Sequence, residues 1–158
     1  MRAAITGHLV FSTLHTNDSV SSVIRLVDMG LESYMIANSL VGVVAQRLMR
    51  KVCPYCAQAE EPTEEEREFL ERDIHRVMRP KGCRYCNNTG YKGRTAIHEI
   101  LTIDREIREM ISRRATMEEV KDYATDRQGM RTLKECGVDL VEAGVTTMEE
   151  LMKVAYYA

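Results

Sequence analysis

Two short cysteine hooks carry the clearest chemical signal in the sequence. They are Cys53-Pro54-Tyr55-Cys56 and Cys83-Arg84-Tyr85-Cys86, separated by the segment 57–82. Thiolates bind Zn²⁺ well, and two CxxC pairs at this separation can place four sulfurs tetrahedrally around one ion. Two disulfides, or four reduced thiols in an apolar core, are the alternatives. Because core cysteines rarely fall into two such hooks by chance, the spacing predicts a closed, structural zinc site.

Two histidines form a second candidate site near the start of the chain. His8 and His15 lie at the ends of the compact apolar run 7–15, which predicts a buried strand. With a period of two they point to opposite faces. A histidine after a parallel strand, followed by a helix N-terminus at Asp18, is placed to meet a phosphate. By pattern alone, two capping or surface histidines explain these positions better.

Composition narrows the possible functions of the chain. Its 158 residues are 44% hydrophobic and 29% charged, with a net charge of −2. This balance is typical of a globular protein and argues against a nucleic-acid footprint covering a whole face. The sequence has no long apolar run and no secretory signal, and Cys136 has no obvious mate, so we expect a reducing, cytoplasmic location.

The first third of the chain has an α/β pattern. Helical spacing of apolar residues follows Asp18 until Gly30, and a second helical pattern runs over 33–45. Alternation over 47–52 predicts another strand. One such strand and helix unit cannot cover both faces of a parallel sheet, so we expect the chain to begin in the middle of a domain.

The remainder of the chain is predicted to be mostly helical. Thr63 and Glu66 form a capping box between the hooks, and residues 94–101 have strand character before Asp104 caps a helix. The pairs Thr116 with Glu119 and Thr147 with Glu150 are further capping boxes. With the apolar face around Leu133 to Val141, they predict three amphipathic helices that pack as a small bundle.

Several of these motifs together resemble a known family. The run Thr6 to Asp18, which we call the histidine segment, is similar to the histidine box of the ATPases that drive type II secretion and type IV pilus assembly. Ala45-Gln46-Arg47-Leu48 before the first hook, and Thr89-Gly90-Tyr91-Lys92-Gly93-Arg94 after the second, resemble the tetracysteine element of the same family. Retraction ATPases of the superfamily generally lack those cysteines, which favours the secretion or assembly branch.

The resemblance implies the C-terminal portion of a hexameric, RecA-like ATPase that uses Mg-ATP to move a pseudopilus or pilus through an inner-membrane platform. By position, His8 and His15 correspond to the histidines expected near the γ-phosphate. Cys53, Cys56, Cys83 and Cys86 correspond to the family's structural zinc ligands. The implied location is the cytoplasmic face of the inner membrane, peripheral to it, with no nucleic-acid partner.

One departure from the family is large. No GxxxxGK[ST] loop occurs in the sequence, and the acidic box and Walker B segment that precede the histidine box in the family are also missing. Without a phosphate cradle and a carboxylate to manage Mg²⁺, we expect that this chain alone does not turn over ATP.

The predicted fold class is therefore a partial RecA-like α/β sheet, a tetracysteine module and a mostly helical C-terminal subdomain. The expected boundaries are 1–52 for the ATPase core, 53–86 for the tetracysteine module, 87–103 for a return strand and 104–158 for the helices. One alternative is a zinc-ribbon module that binds nucleic acid or protein. Another is an interaction domain formed by about residues 105–158 alone.

Overall fold

The computed structural model describes residues 1–155, which form helices and two small sheets. The helices are α1 Arg2–Ile5, α2 Ser19–Asp28, α3 Ser33–Ser39, α4 Glu64–Leu70, α5 Arg105–Ser112, α6 Met117–Asp126, α7 Leu133–Glu142 and α8 Met148–Ala155. The strands are β1 Gly42–Val52, β2 Ala57–Glu60, β3 Val77–Pro80 and β4 Tyr91–Thr102, and a short 3₁₀ turn spans Arg84–Cys86.

The two sheets are both two-stranded. β1 pairs with β4, and β2 pairs antiparallel with β3, with Ala57 opposite Pro80 and Glu60 opposite Val77. The Ile103 N–H donates to the Val41 carbonyl beyond one end of β1, and the Cys53 N–H donates to the Gly90 carbonyl beyond the other. These hydrogen bonds show that β1 and β4 run antiparallel.

The chain divides into two compact units. Unit 1 contains residues 1–45 and 98–132, and unit 2 contains residues 46–97 and, among the described residues, 133–155. In unit 1, α3 packs against α5 and α2, and α6 packs against α2. Its core is apolar and is formed by Val20, Val23, Leu26, Ile36, Ala37, Leu101, Ile103, Ile107, Met110, Ile111, Val120, Ala124 and Met130.

The core of unit 2 lies where α7 packs against α8 and β3. Met49, Val77, Leu133, Val141 and Leu151 are fully or almost fully buried there. Gly137 in α7 allows the close approach, because a Cβ at that position would lie 2.5 Å from Leu151 Cδ1. A larger residue in this turn of α7 would therefore force the buried Leu151 side chain to move.

A polar network ties β1 to α8 within unit 2. The Arg50 side chain donates to Glu150 Oε1 through Nε at 3.0 Å and Nη2 at 2.7 Å, and the Arg50 N–H donates to Oε2 at 2.9 Å. The guanidinium lies 3.8 Å from the centroid of the Tyr91 ring, whose hydroxyl lies 3.0 Å from Thr147 Oγ1. Burial raises the pKa of the Glu150 carboxyl, but these donors outweigh it and lower that pKa to about 2.

Four local predictions are confirmed. Thr63 with Glu66 and Thr116 with Glu119 form complete capping boxes, and the Asp104 carboxylate accepts from the Ile107 N–H. The strand predicted over 94–101 is also present within β4.

Three other predictions are wrong. Residues 7–15 are not a buried strand: residues 8–16 are irregular and no strand among the described residues pairs with them. The helix predicted to reach Ala45 ends at Ser39, because residues from Gly42 onward pair with β4 instead. The three C-terminal helices do not form one bundle, since α6 packs in unit 1 whereas α7 and α8 pack together in unit 2.

No helix within residues 1–155 combines the length and the apolar character needed to cross a membrane.

Candidate metal centre

The four cysteines of the two hooks meet at one point in unit 2. All four Sγ atoms lie within 4.8 Å of one another, and the cysteines are free. The Cys53 Sγ lies 3.9 Å from that of Cys83, and the Cys86 Sγ lies 3.8 Å from those of Cys56 and Cys83. A tetrahedron with Zn–S bonds of about 2.3 Å separates its sulfurs by roughly 3.8 Å. The spacing thus fits a tetrahedral thiolate site and is far longer than a disulfide bond of about 2.05 Å.

The first hook begins where β1 ends. The Cys53 N–H donates to the Gly90 carbonyl at 2.9 Å, which fixes this end of β1 beside the start of β4. The N–H groups of Cys56 and Ala57 donate back to the Cys53 carbonyl at 3.3 and 3.0 Å. The resulting turn brings the two sulfurs to one side and leaves Cys53 fully buried.

The second hook is shaped by a run of left-handed residues. Asn87 and Asn88 have φ values of 53° and 59°, a conformation that asparagine tolerates better than most residues. The Asn88 N–H donates to the Cys83 carbonyl at 2.9 Å, and Thr89 Oγ1 donates to the Cys86 carbonyl at 2.6 Å. Gly90 follows with a φ of 78°, and a Cβ there would overlap the Pro80 side chain. A glycine is therefore required where β3 passes the hook.

Backbone N–H groups stabilise a thiolate at Cys86. Burial by itself raises the pKa of this thiol, but the N–H groups of Cys83 and Gly90 each donate to its Sγ at 3.2 Å, and the pKa falls to about 6. At Cys56, burial and the neighbouring thiols raise the pKa to about 12. One negative charge disfavours another in so small a volume. A divalent cation among the sulfurs favours ionisation of all four.

The segment between the hooks is held by its own ion pairs. Arg79 on β3 forms a bidentate pair with Glu66 on α4, with N···O distances of 2.5 and 2.6 Å. Hydrogen bonds from Arg79 therefore lower the pKa of the Glu66 carboxyl. Lys81 donates to Glu60 at 2.8 Å. The sequence identifies Glu66 only as a capping residue and gives no sign of Arg79, because no local pattern predicts a pairing between two separate elements.

The side chains of the histidine segment are largely exposed to solvent. His8 and His15 are both exposed; His8 Nδ1 lies 3.1 Å from Thr6 Oγ1, and the His8 N–H donates to the Ala3 carbonyl at 3.1 Å. The apolar side chains between them are also exposed, with Phe11 at 88% and Leu9 at 80%. Both histidines belong to unit 1, whereas the cysteines belong to unit 2.

The helix N-terminus after the histidine segment is already occupied. The Ser19 N–H donates to Glu99 Oε1 at 2.9 Å, and the Ser21 N–H donates to Asp18 Oδ1 at 2.6 Å. Two carboxylates thus take donors that a phosphate would need, and their charge opposes an anion. Contact between the histidine segment and a phosphate stays a prediction. Sequence reasoning missed Glu99, which is buried and comes from the distant strand β4.

The sequence matches a known protein family over almost its whole length. The family model described as "Type II/IV secretion system protein" matches residues 1–153. The chain belongs to this family. It is 42% identical over 154 residues to the type II secretion system protein HxcR of Pseudomonas aeruginosa, covering 98% of this chain and 30% of that protein.

Other relatives of the family belong to both secretion and pilus systems. Identity to the type II secretion system ATPase E of Vibrio cholerae is 41% over 157 residues, covering 98% of this chain and 31% of the relative. Identity to the type IV pilus assembly ATPase PilB of Thermus thermophilus is 44% over 155 residues, covering 95% of this chain and 17% of the relative. The chain thus spans less than a third of the length of these relatives.

A solved structure supports the fold. The pilus retraction motor PilT, crystallised with bound ADP, superposes with a TM-score of 0.63 over 97% of this chain and 34% of PilT, at 23% sequence identity. At this identity the likeness concerns the fold alone. Together with the clustered cysteines, it confirms the predicted fold class, a partial RecA-like α/β fold that carries a tetracysteine module.

Proposed function

We propose that this chain contributes the C-terminal part of a hexameric, cytoplasmic ATPase that powers type II protein secretion or type IV pilus assembly. The observation that carries the proposal is the family match over residues 1–153, joined by four thiols at zinc-binding distances. In this proposal the P-loop, the Walker B carboxylate and the Mg-ATP they hold belong to a part of the motor that precedes the histidine segment. The chain on its own then does not turn over ATP.

His8 and His15 act in the assembled motor by meeting the γ-phosphate or by coupling it to subunit motion. A neutral imidazole donates one N–H to a phosphoryl oxygen, and the protonated form adds positive charge near physiological pH. Their exposure in unit 1 supports this role, since neither ring is enclosed within the described residues. The exposed Leu9 and Phe11 are then covered by the preceding part of the motor.

Cys53, Cys56, Cys83 and Cys86 hold a structural Zn²⁺ in the same proposal. Four thiolates leave no open position for water, so the ion performs no chemical step. It joins the end of β1 to the start of β4, between which the chain makes its excursion through β2, α4 and β3. The partners of the motor are further copies of itself and an inner-membrane platform, to which it attaches from the cytoplasmic face.

A chimera tests the proposal. The part of Vibrio cholerae ATPase E that precedes its matched region is fused to residues 1–158, and ATP hydrolysis is compared with that of the chain alone. We expect the chimera to hydrolyse ATP and the chain alone to be inactive. His15→Ala in the chimera is expected to lower the rate by about a hundredfold, the scale of a lost transition-state contact. His75→Ala, on an exposed loop of unit 2, is the matched control.

Three results contradict parts of the proposal. A folded, zinc-loaded chimera without activity contradicts membership of a working motor. ATP hydrolysis by the chain alone shows that the nucleotide site is complete without the preceding part. Unchanged rates for His8→Ala and His15→Ala remove the histidines from the chemistry.

A further inference from the structure

The hooks also present an exposed aromatic pair. Tyr55 and Tyr85 each precede the second cysteine of their hook, and their ring centroids lie 4.5 Å apart at an interplanar angle of 31°. Tyr55 is 63% exposed and Tyr85 is 50% exposed. Both rings lie at the surface, and a tetracysteine site needs neither a ring nor a hydroxyl to bind its metal. Metal binding therefore does not explain why both positions are tyrosine.

Two cations lie beside this pair. The Arg84 guanidinium lies 5.0 Å from the Tyr85 centroid and its Nη2 donates to the Tyr85 hydroxyl at 3.0 Å, while Lys92 Nζ lies 5.6 Å from the Tyr55 centroid. We call Tyr55, Tyr85, Arg84 and Lys92 the tyrosine patch.

The charges of the tyrosine patch are not compensated. Arg84 and Lys92 are exposed, and neither forms an ion pair with another described residue, although other basic residues of unit 2 such as Arg50, Arg72 and Arg79 do. Clustered like charges oppose one another and are a local cost to the fold. Such a positively charged cluster beside two aromatic rings is complementary in charge to carboxylates on a partner protein.

From this arrangement we propose that the tyrosine patch is a docking site for an acidic peptide segment of a partner protein. Carboxylates pair with Arg84 and Lys92, and apolar parts of the peptide lie on the two rings. The proposal does not depend on the motor function, because it uses only unit 2.

Two other anionic partners fit less well. The chain carries a net charge of −2, and the segment between the hooks adds exposed carboxylates at Glu61, Glu64, Glu65 and Glu68. An anionic bilayer or a nucleic-acid strand presents negative charge over a large area or along its whole length. A short acidic segment requires only the two cations of the patch.

Fluorescence polarisation with a labelled oligo-glutamate peptide and the zinc-loaded chain tests the proposal. We expect saturable binding at about 0.1 M salt that is largely lost at about 1 M, since the Debye length falls from roughly 10 Å to 3 Å. Arg84→Gln with Lys92→Gln should weaken binding about tenfold. Tyr55→Ser with Tyr85→Ser should weaken it as well. Lys121→Gln with Arg127→Gln removes the same charge from exposed positions of unit 1 and should change nothing.

A charge-reversal variant distinguishes loss of the patch from loss of folding. Arg84→Glu with Lys92→Glu should lose the glutamate peptide and gain an oligo-lysine peptide, with unchanged zinc content. No saturable binding by the wild type, or equal loss in the control variant, overturns the proposal. So does tighter binding to vesicles with one fifth phosphatidylglycerol or to single-stranded DNA, either of which would assign the patch to that partner.

Discussion

The tetracysteine module and the histidine segment differ in where their partners lie. The four thiols face one another, and the backbone N–H groups that stabilise Cys86 come from the hook and from Gly90. The histidine segment instead exposes Leu9 and Phe11 and pairs with no strand in residues 1–155. The tetracysteine module is stabilised by contacts within this chain, whereas the apolar side chains of the histidine segment have few such contacts among the described residues. Substitutions in the two regions should therefore have very different effects on stability.

Loss of the metal should have the largest effect. Zinc binding to thiolate sites contributes on the order of 10 kcal/mol to the folding of small modules. Chelation, or Cys86→Ser, should therefore unfold residues 53–86 and lower the melting temperature, as measured by circular dichroism and by hydrogen exchange of that segment. Cys136→Ser is the control: Cys136 lies outside both hooks, so this variant should keep its zinc and the fold of residues 53–86. An unchanged melt after complete metal removal would contradict a structural role.

The Arg50 and Glu150 pair should give the next largest effect. Glu150→Gln leaves a buried group with weaker partners and should cost about 2 kcal/mol in urea unfolding at pH 7. Because the native pKa lies near 2 and the ordinary value is 4.5, the carboxylate stabilises the fold above pH 4.5. The difference between wild type and variant should shrink as the pH falls from 4.5 towards 2. Both proteins share the cysteines, so acid loss of metal affects them equally.

The neighbouring Glu149 provides a comparison for Glu150. Glu149 lies at the exposed edge of the same network, with Oε1 3.7 Å from Arg50 Nη2, and Glu149→Gln should cost less than about 0.5 kcal/mol. Equal losses of stability from the two variants would show that the buried Glu150 contributes no more than an exposed carboxylate.

Gly90→Ala should separate backbone strain from crowding at the second hook. Its positive φ costs a residue with a Cβ about 1 kcal/mol, and the overlap with Pro80 adds to this. Gly129→Ala is the matched control, since Gly129 has a φ of 67° and open space around it. Gly90→Ala should therefore destabilise more than Gly129→Ala and weaken zinc affinity. Equal losses of stability in the two variants would show that crowding against Pro80 does not constrain the residue at position 90.

The smallest effect is expected in the histidine segment. Phe11→Ser and His15→Ala should each change the free energy of unfolding by less than about 0.5 kcal/mol, because both side chains are exposed. Urea unfolding at pH 7 measures this. A loss from either variant of about 2 kcal/mol, the scale of a buried side chain, would show that the segment packs against this chain after all. The contrast between the two regions would then disappear.

The same contrast explains what could be predicted from the sequence. The capping boxes at Thr63 and Thr116 are predictable because both partners lie within one helical turn. The cysteine site is predictable because the hooks repeat a spacing that metals require. Val43 and Val44 fit a helical pattern because a short apolar run suits either period, and only pairing with the distant β4 makes it a strand.

The long-range polar contacts have no local signal at all. Glu99 pairs with Ser19, and Arg50 pairs with Glu150, across 80 and 100 positions of the sequence. Each partner alone is an ordinary polar residue, and only the packing of the elements brings the two together. Such contacts therefore become visible only in the folded chain.

X-ray absorption at the zinc edge tests the central claim most directly. The purified chain should contain one zinc per molecule, coordinated by four sulfurs at about 2.3 Å, and the Cys86→Ser variant should lose one sulfur or the metal. A first shell containing nitrogen or oxygen, or a metal-free protein whose cysteines are paired as disulfides at full stability, would contradict a closed structural zinc site.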